Sequence, residues 1–124
     1  MTMSITGAMP TLFVSNMDKS IRFFTDTMGL ALKERYGDHW ASIDCGGGVT
    51  IGLHPASATD PSSRAGTMSI GFRTTGAIRE SVEQLKSRGV VFRGDVLDDT
   101  EVRLANFTDP DGHLLYITEV RKER

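Results

Sequence analysis

The sequence predicts an α+β domain built from two tandem βαβββ modules. Three observations carry this expectation. Short apolar runs and helix-spaced apolar residues follow the order strand, helix, three strands, and then repeat it. The stretches Val14 to Gly29 and Thr74 to Gly89 have the same length and lie sixty residues apart. Gly48-Val49-Thr50-Ile51-Gly52-Leu53 matches Gly112-His113-Leu114-Leu115-Tyr116-Ile117 at an offset of sixty-four. Duplication of one unit is the simplest account. Each unit is too small to hide its apolar face alone, so the two are expected to pack into a single domain over residues 1–124. Module one is expected at about 7–55, a linker at about 55–66 and module two at about 67–120.

The elements follow in order. Met9 to Val14 is an apolar run and reads as a strand, with Pro10 confining it to an edge or to its first residues. Asn16 or Asp18 caps the helix that follows, in which Met17, Ile21, Phe24 and Met28 recur at helical spacing; Gly29 ends it. Leu30–Tyr36, His39–Asp44 and Val49–His54 read as strands, separated by the turns Gly37-Asp38 and Gly46-Gly47-Gly48. The glycine triplet is followed by no helix, which argues against a phosphate cradle. Pro55 to Gly66 is rich in Pro, Ser and Ala without apolar periodicity and reads as the linker. Thr67–Arg73 is a strand. Ile78, Val82 and Leu85 mark a helix ended by Gly89. Val90–Phe92 opens a strand, Glu101–Phe107 forms another and His113–Val120 a third, the last two joined by the turn Asp109-Pro110-Asp111-Gly112. The charged tail Arg121–Arg124 is expected to fray.

Composition excludes several classes of function. Fourteen Lys and Arg stand against sixteen Asp and Glu, a net charge of −2. That balance argues against nucleic-acid partners and against an anionic membrane surface. No stretch approaches the ~20 apolar residues of a membrane span, and Met1 to Pro10 has neither the basic region nor the apolar run of a signal peptide. Cys45, the single cysteine, forms no disulfide within the chain and rules out a thiolate zinc cluster; a cytoplasmic location is expected. No base stands near Cys45 in sequence to make it a nucleophile.

Two motifs then resemble a known family. Val14-Ser15-Asn16-Met17-Asp18-Lys19-Ser20-Ile21-Arg22-Phe23-Phe24, followed by Met28-Gly29-Leu30, is similar to the opening of a vicinal oxygen chelate domain. Phe107-Thr108-Asp109-Pro110-Asp111-Gly112-His113 resembles that family's closing turn. The family includes glyoxalase I, extradiol dioxygenases, fosfomycin-resistance transferases and bleomycin-resistance proteins. The resemblance covers Met9 to Glu119 and implies a glyoxalase/bleomycin-resistance-like fold in which paired modules curl their sheets into a cup. Fold alone assigns no activity. Family enzymes hold a divalent metal through His, Glu or Gln at the start of each module's first strand and near the end of its last. Here those positions are Met9, Gly52, Ser69 and Tyr116, a poor donor set for a hard cation, so no metal and no other cofactor is expected. The resemblance also implies a homodimer.

Alternation along strands carries the ligand positions to a set of cup-facing neighbours. These are Met9, Thr11 and Phe13; Thr50, Gly52 and His54; Ser69, Gly71 and Arg73; and Leu114, Tyr116 and Thr118. The opposite set, Leu12, Val14, Ile51, Leu53, Ile70, Phe72, Leu115 and Ile117, is uniformly apolar and should face the helices. Phe13, Trp40, His54, Arg73 and Tyr116 are the candidate ligand-binding residues. His54 is either a pocket donor or proton acceptor or an exposed strand end. Arg73 at the rim suits a carboxylate or phosphate, or a salt bridge. Trp40 is a stacking platform or a core or dimer residue, and its face and that of Arg103 stay open at this level. His113 reads as structural and His39 as a turn residue. Tyr116 is expected to lie across from Gly52, its ring using the space the glycine leaves, with His54 on the same cavity. The leading reading is a metal-independent binder of a small molecule, like the bleomycin-resistance-type proteins that sequester a drug. The alternatives are a glyoxalase-like or dioxygenase-like enzyme using Tyr116 and His54 as acid and base, and a non-catalytic dimerising domain.

Overall fold

The computed structural model of the chain describes residues 7–58, 68–98 and 102–120. Most of the expected linker, Thr67, Glu101 and the tail Arg121–Arg124 lie outside these residues. The elements are β1 (Thr11–Val14), α1 (Met17–Arg22) running on into a π-helical segment (Phe23–Thr27), β2 (Ala31–Tyr36), β3 (Trp40–Gly46) and β4 (Val49–Pro55), then β5 (Ser69–Arg73), α2 (Ile78–Ser87), β6 (Leu97–Asp98), β7 (Val102–Thr108) and β8 (Leu114–Val120). Each module folds into its own four-stranded mixed sheet, ordered β1-β4-β3-β2 and β5-β8-β7-β6. In both, the first strand pairs parallel with the last, and a helix crosses between them. This is the α+β layout that the repeat predicts.

Local chemistry sets the helix ends. The Asn16 side chain accepts the Lys19 amide at 3.0 Å, so Asn16 is the cap of α1 rather than Asp18. Gly29 and Gly89, the residues expected to end the helices, have φ of 76° and 95°, a conformation that costs a glycine little. The helical spacing of Phe24 and Met28 does not mark a continuous α-helix. The Thr25 hydroxyl bonds back to the Ile21 carbonyl at 2.8 Å, and Met28 N reaches Phe23 O at 3.0 Å, one residue farther than an α-helix allows. The wider turn lets Phe24 bury completely while Phe23 meets Phe107 of module two at a ring separation of 6.5 Å.

A second expectation is corrected in module two. Val90–Phe92 opens no strand: only Phe92 bridges to Phe107, and Arg93 N donates to Asn106 O at 2.7 Å before the chain bends away. The strand itself comes later and is two residues long. Likewise β1 begins at Thr11, so Met9 lies outside it and is exposed.

The core lies between the sheets' inner faces and the helices. Met17, Ile21 and Phe24 from the first helix and Ile78, Val82 and Leu85 from α2 cover Val14, Ile51, Leu53, Leu115 and Ile117, with Leu12, Ile70 and Phe72 at the margin. Each fully buried side chain of this kind contributes about 1.5–3 kcal/mol. The two modules are joined by this shared core and by specific polar contacts. The Asp111 carboxylate accepts from Ser15 N at 3.1 Å and from the Ser20 hydroxyl at 3.4 Å, and an Arg88 guanidinium N–H donates to Thr27 O at 2.8 Å.

Candidate functional site

With the apolar set committed to the helices, the other face of each sheet carries what is left for chemistry. In module one the register Thr11↔Gly52 and Phe13↔His54 puts these four on one face. The Phe13 and His54 rings meet edge to face, 5.6 Å apart. Ser42 pairs with Gly52, and Ala41 with Leu53 of the core, so Trp40 and Ser42 share the face of Gly52. The open question about Trp40 is thus answered. Its six-membered ring lies against Gly52 so closely that a methyl group there would overlap Cη2, with Cζ2 at 2.9 Å and Thr11 Oγ1 at 3.0 Å. Ser42 is buried on the same face, and its hydroxyl has no hydrogen-bond partner among the described residues.

In module two, Ser69, Gly71 and Arg73 share a face with Leu114, Tyr116 and Thr118. Across the antiparallel pair, Leu104, Asn106 and Thr108 join them. The Tyr116 side chain lies over Gly71, where an added methyl would overlap Cζ, Cε2 and the hydroxyl. This corrects the expectation that Tyr116 uses the space at Gly52: its own sheet supplies a nearer glycine, and Trp40 fills the other. Arg103 pairs with Glu119, whose carboxylate caps α2 at Ile78 N (2.7 Å), so Arg103 faces the helix layer, beside Asp98 at 3.3 Å. It is not a lining residue.

The structure therefore places Phe13, Trp40 and His54 on one sheet and Arg73 and Tyr116 on the other. His54 is exposed and its Nδ1 lies 2.9 Å from the Pro55 carbonyl, which requires that nitrogen to carry a hydrogen. Ser42 and Asn106 were missed in the sequence. They occupy matching positions of the two modules, and the sixty-four-residue offset was the signal that would have found them. A separate cavity of about 560 Å³ lies on the helix side of the second sheet, between α2 and residues 92–96, with Val82, Phe92, Val96 and Ala105 inside and Arg79, Glu83, Lys86 and Asp95 around it.

The donor chemistry does not fit the metal that the fold's enzymes carry. Gly52 offers no donor and a tryptophan ring occupies its space, Met9 is outside the strand, and the Tyr116 ring is folded down onto Gly71. Among the described residues no three His, Cys, Asp or Glu converge on one point. Nor is Cys45 an activated nucleophile: burial pushes its thiol pKa up and the Asp44 charge adds to that, against a smaller opposing effect from the Ile51 backbone. His113 and Asp109 form a hydrogen-bonded pair at 2.7 Å, but the same carboxylate accepts the amides of Asp111 and His113, so the pair is engaged in building the closing turn.

A family model for the Glyoxalase/Bleomycin resistance protein/Dioxygenase superfamily matches residues 6–117. An uncharacterized protein of Mycolicibacterium smegmatis is 29% identical over 115 residues, 92% of this chain and 94% of its own. Among solved structures, TnmS3, an antibiotic binding protein from Streptomyces sp. CB03234, is 25% identical with a TM-score of 0.77, over 96% of this chain and 99% of that one. A glyoxalase/bleomycin resistance protein from the same Streptomyces is 26% identical with a TM-score of 0.71, over 90% and 98%. No described helix is long and apolar enough to cross a membrane. The chain belongs to the glyoxalase/bleomycin resistance protein/dioxygenase superfamily.

Proposed function

We propose that this protein binds a small molecule without a metal, in the manner of a drug-sequestering member of its superfamily. The observation that carries this reading is the replacement of ligand positions by flat rings: Trp40 over Gly52 and Tyr116 over Gly71. A ring lying on glycine buries one face against backbone and turns the other outward, which suits stacking against a planar group. Phe13 and His54 extend the first platform, Arg73 stands at the edge of the second, and Ser42 supplies a hydroxyl in need of a partner. The similarity to an antibiotic binding protein supports the same reading. An acid–base role for His54 with Tyr116 has less support, because the two stand on separate sheets.

The reading includes a homodimer that brings the rings of two chains onto shared cavities, with both modules of each chain acting as one unit. Both faces of β2 are exposed, Leu32 and Tyr36 among them, and β6 presents Leu97 at the opposite edge. It also includes a cytoplasmic location, supported by the lone cysteine.

Trp40 is the only tryptophan, so its fluorescence reports this site alone. Titration with three tricyclic probes of different charge, acridone, proflavine and acridine-9-carboxylate, is expected to quench it with saturation. Sedimentation of the same samples should give about twice 13.6 kDa. Tyr116→Phe should weaken the best probe by about 1 kcal/mol and leave stability unchanged. No saturable quenching by any of the three would refute the binding reading, and a 13.6 kDa species at micromolar concentration would refute the dimer.

A further inference from the structure

We propose that the cavity between α2 and residues 92–96 is a second binding site, suited to a small zwitterion with an apolar body: an amino acid with an apolar side chain, or a short peptide of the same kind. Its volume of about 560 Å³ falls within the range of small-molecule pockets. It lies on the helix side of the second sheet, opposite the face that carries Tyr116, and does not depend on the binding reading above.

Three walls hold it open. Arg79, Val82, Glu83 and Lys86 stand three and four residues apart on α2 and so share one face of that helix. Ala105, buried on β7 opposite Ile117, forms the floor, and its methyl group fills little of the space above it. The far wall is the arch from Phe92 to Val96, fastened to β7 at both ends. At one end Phe92 bridges to Phe107 and Arg93 N donates to Asn106 O at 2.7 Å; at the other Leu97 pairs with Leu104. The arch cannot settle onto α2 without breaking these bonds. Within it Gly94 has no side chain, and a Cβ there would meet nothing within 4 Å. The apolar walls therefore stay uncovered, and an apolar occupant would recover free energy by taking them out of water.

Charge selects the occupant. Two cations and two anions line the cavity. Lys86 and Glu83 satisfy each other at 3.8 Å. Among the described residues, Arg79 and Asp95 have no ion pair with each other or with any other group. One stands on α2 and the other on the arch. An anion drawn to Arg79 would also meet the Asp95 carboxylate, and a cation drawn to Asp95 would meet the guanidinium. A molecule carrying both charges answers both, with its carboxylate at Arg79, its ammonium at Asp95 and its apolar part against Val82, Phe92, Val96 and Ala105.

Four probes test this: L-phenylalanine; the dipeptide leucyl-phenylalanine; hydrocinnamate, which lacks the ammonium; and phenethylamine, which lacks the carboxylate. Binding is read from the methyl signals of Val82, Val96 and Ala105 in carbon-13-labelled protein. Phenylalanine is expected to shift them with saturation. The two single-charge analogues should bind roughly three- to ten-fold more weakly, the difference that one ion pair at a cavity mouth makes. Asp95→Asn should make phenylalanine and hydrocinnamate bind alike, and Arg79→Gln should do the same for phenylalanine and phenethylamine. Both residues are exposed, so both variants should fold. Tighter binding of the dipeptide would identify a peptide ligand and tighter binding of phenylalanine a free amino acid; either order supports the proposal. No methyl shift from any probe at about 10 mM would overturn it. So would an analogue that binds wild type as well as phenylalanine does, or a preference that survives both substitutions. A change in Trp40 emission with stationary methyl signals would put the probe on the other sheet and equally overturn it.

Discussion

The two modules share a topology and reach the same surface feature by different residues. In module one the ring comes from β3 and the glycine from β4; in module two the ring comes from β8 and the glycine from β5. The sixty-four-residue offset places Tyr116 at the position of Gly52, so the ring of one module stands where the other has no side chain. The two modules share their backbone pairing, while the aromatic cover comes from non-equivalent positions. The helix layers differ as well. Module one passes from its π-helical segment to a six-residue β2 through Met28, Gly29 and Leu30. Module two takes residues 88–96 to reach a two-residue β6, and its cavity opens beside that detour.

The largest expected effect tests whether this difference divides the core. Phe24 and Phe107 are both fully buried, one in each module. Each Phe→Ala change should cost about 3–5 kcal/mol. Phe107 also touches Phe23 and Phe92, so Phe107→Ala should fall at the upper end. Urea unfolding followed by circular dichroism should remain a single transition for both variants. Separate transitions would show that the modules are independent units.

A middle effect addresses the two ring-on-glycine pairs. Gly52 is buried beneath Trp40 and also faces Thr11 Oγ1, whereas Gly71 is on the exposed edge strand β5. Gly52→Ala should therefore cost about 1–3 kcal/mol and shift Trp40 emission to the red; Gly71→Ala should cost less, because the Tyr116 ring can lift toward solvent. Equal costs would remove the distinction between a packed ring and a movable one.

The smallest effect concerns the caps. α1 is capped by a side chain at its own N-terminus, while Ala77 leaves that role for α2 to Glu119 of β8. Asn16→Ala should lower stability by about 1 kcal/mol in thermal denaturation, and Ala77→Asp should add less than about 0.5 kcal/mol because the Glu80 amide, one of the two a cap at 77 could reach, already donates to the Ala77 carbonyl at 3.1 Å.

Most of the layout was legible because it is written locally. Alternation sorted Val14, Ile51, Leu53, Leu115 and Ile117 onto the helix side, and Gly29 and Gly89 marked the helix ends. What escaped depended on contacts that no local pattern encodes. The face of Trp40 is fixed by its pairing across β3–β4, a ladder with an irregularity between Asp44 and Gly46. The π-helical turn depends on one threonine hydroxyl and on Phe23 finding Phe107. The missing strand at Val90–Phe92 depends on Phe92 having an aromatic partner in β7. Tyr116 lies on the face away from the helices, and its choice of Gly71 over Gly52 is a matter of which strand lies beside β8.

The parallel pairing of first and last strands also orders events during synthesis. Thr11 waits for Gly52 and Ser69 for Leu114, each more than forty residues farther on. The β3–β4 and β7–β8 hairpins close over a few residues and can form first, whereas β1 and β5 must hold their hydrogen-bonding edges unpaired until the far strand is made. At ribosomal rates of about 5–20 residues per second, that exposure lasts roughly 2–9 s in each module. Pro10, just ahead of β1, shortens the edge on offer during that interval, so another nascent chain has fewer donors to capture.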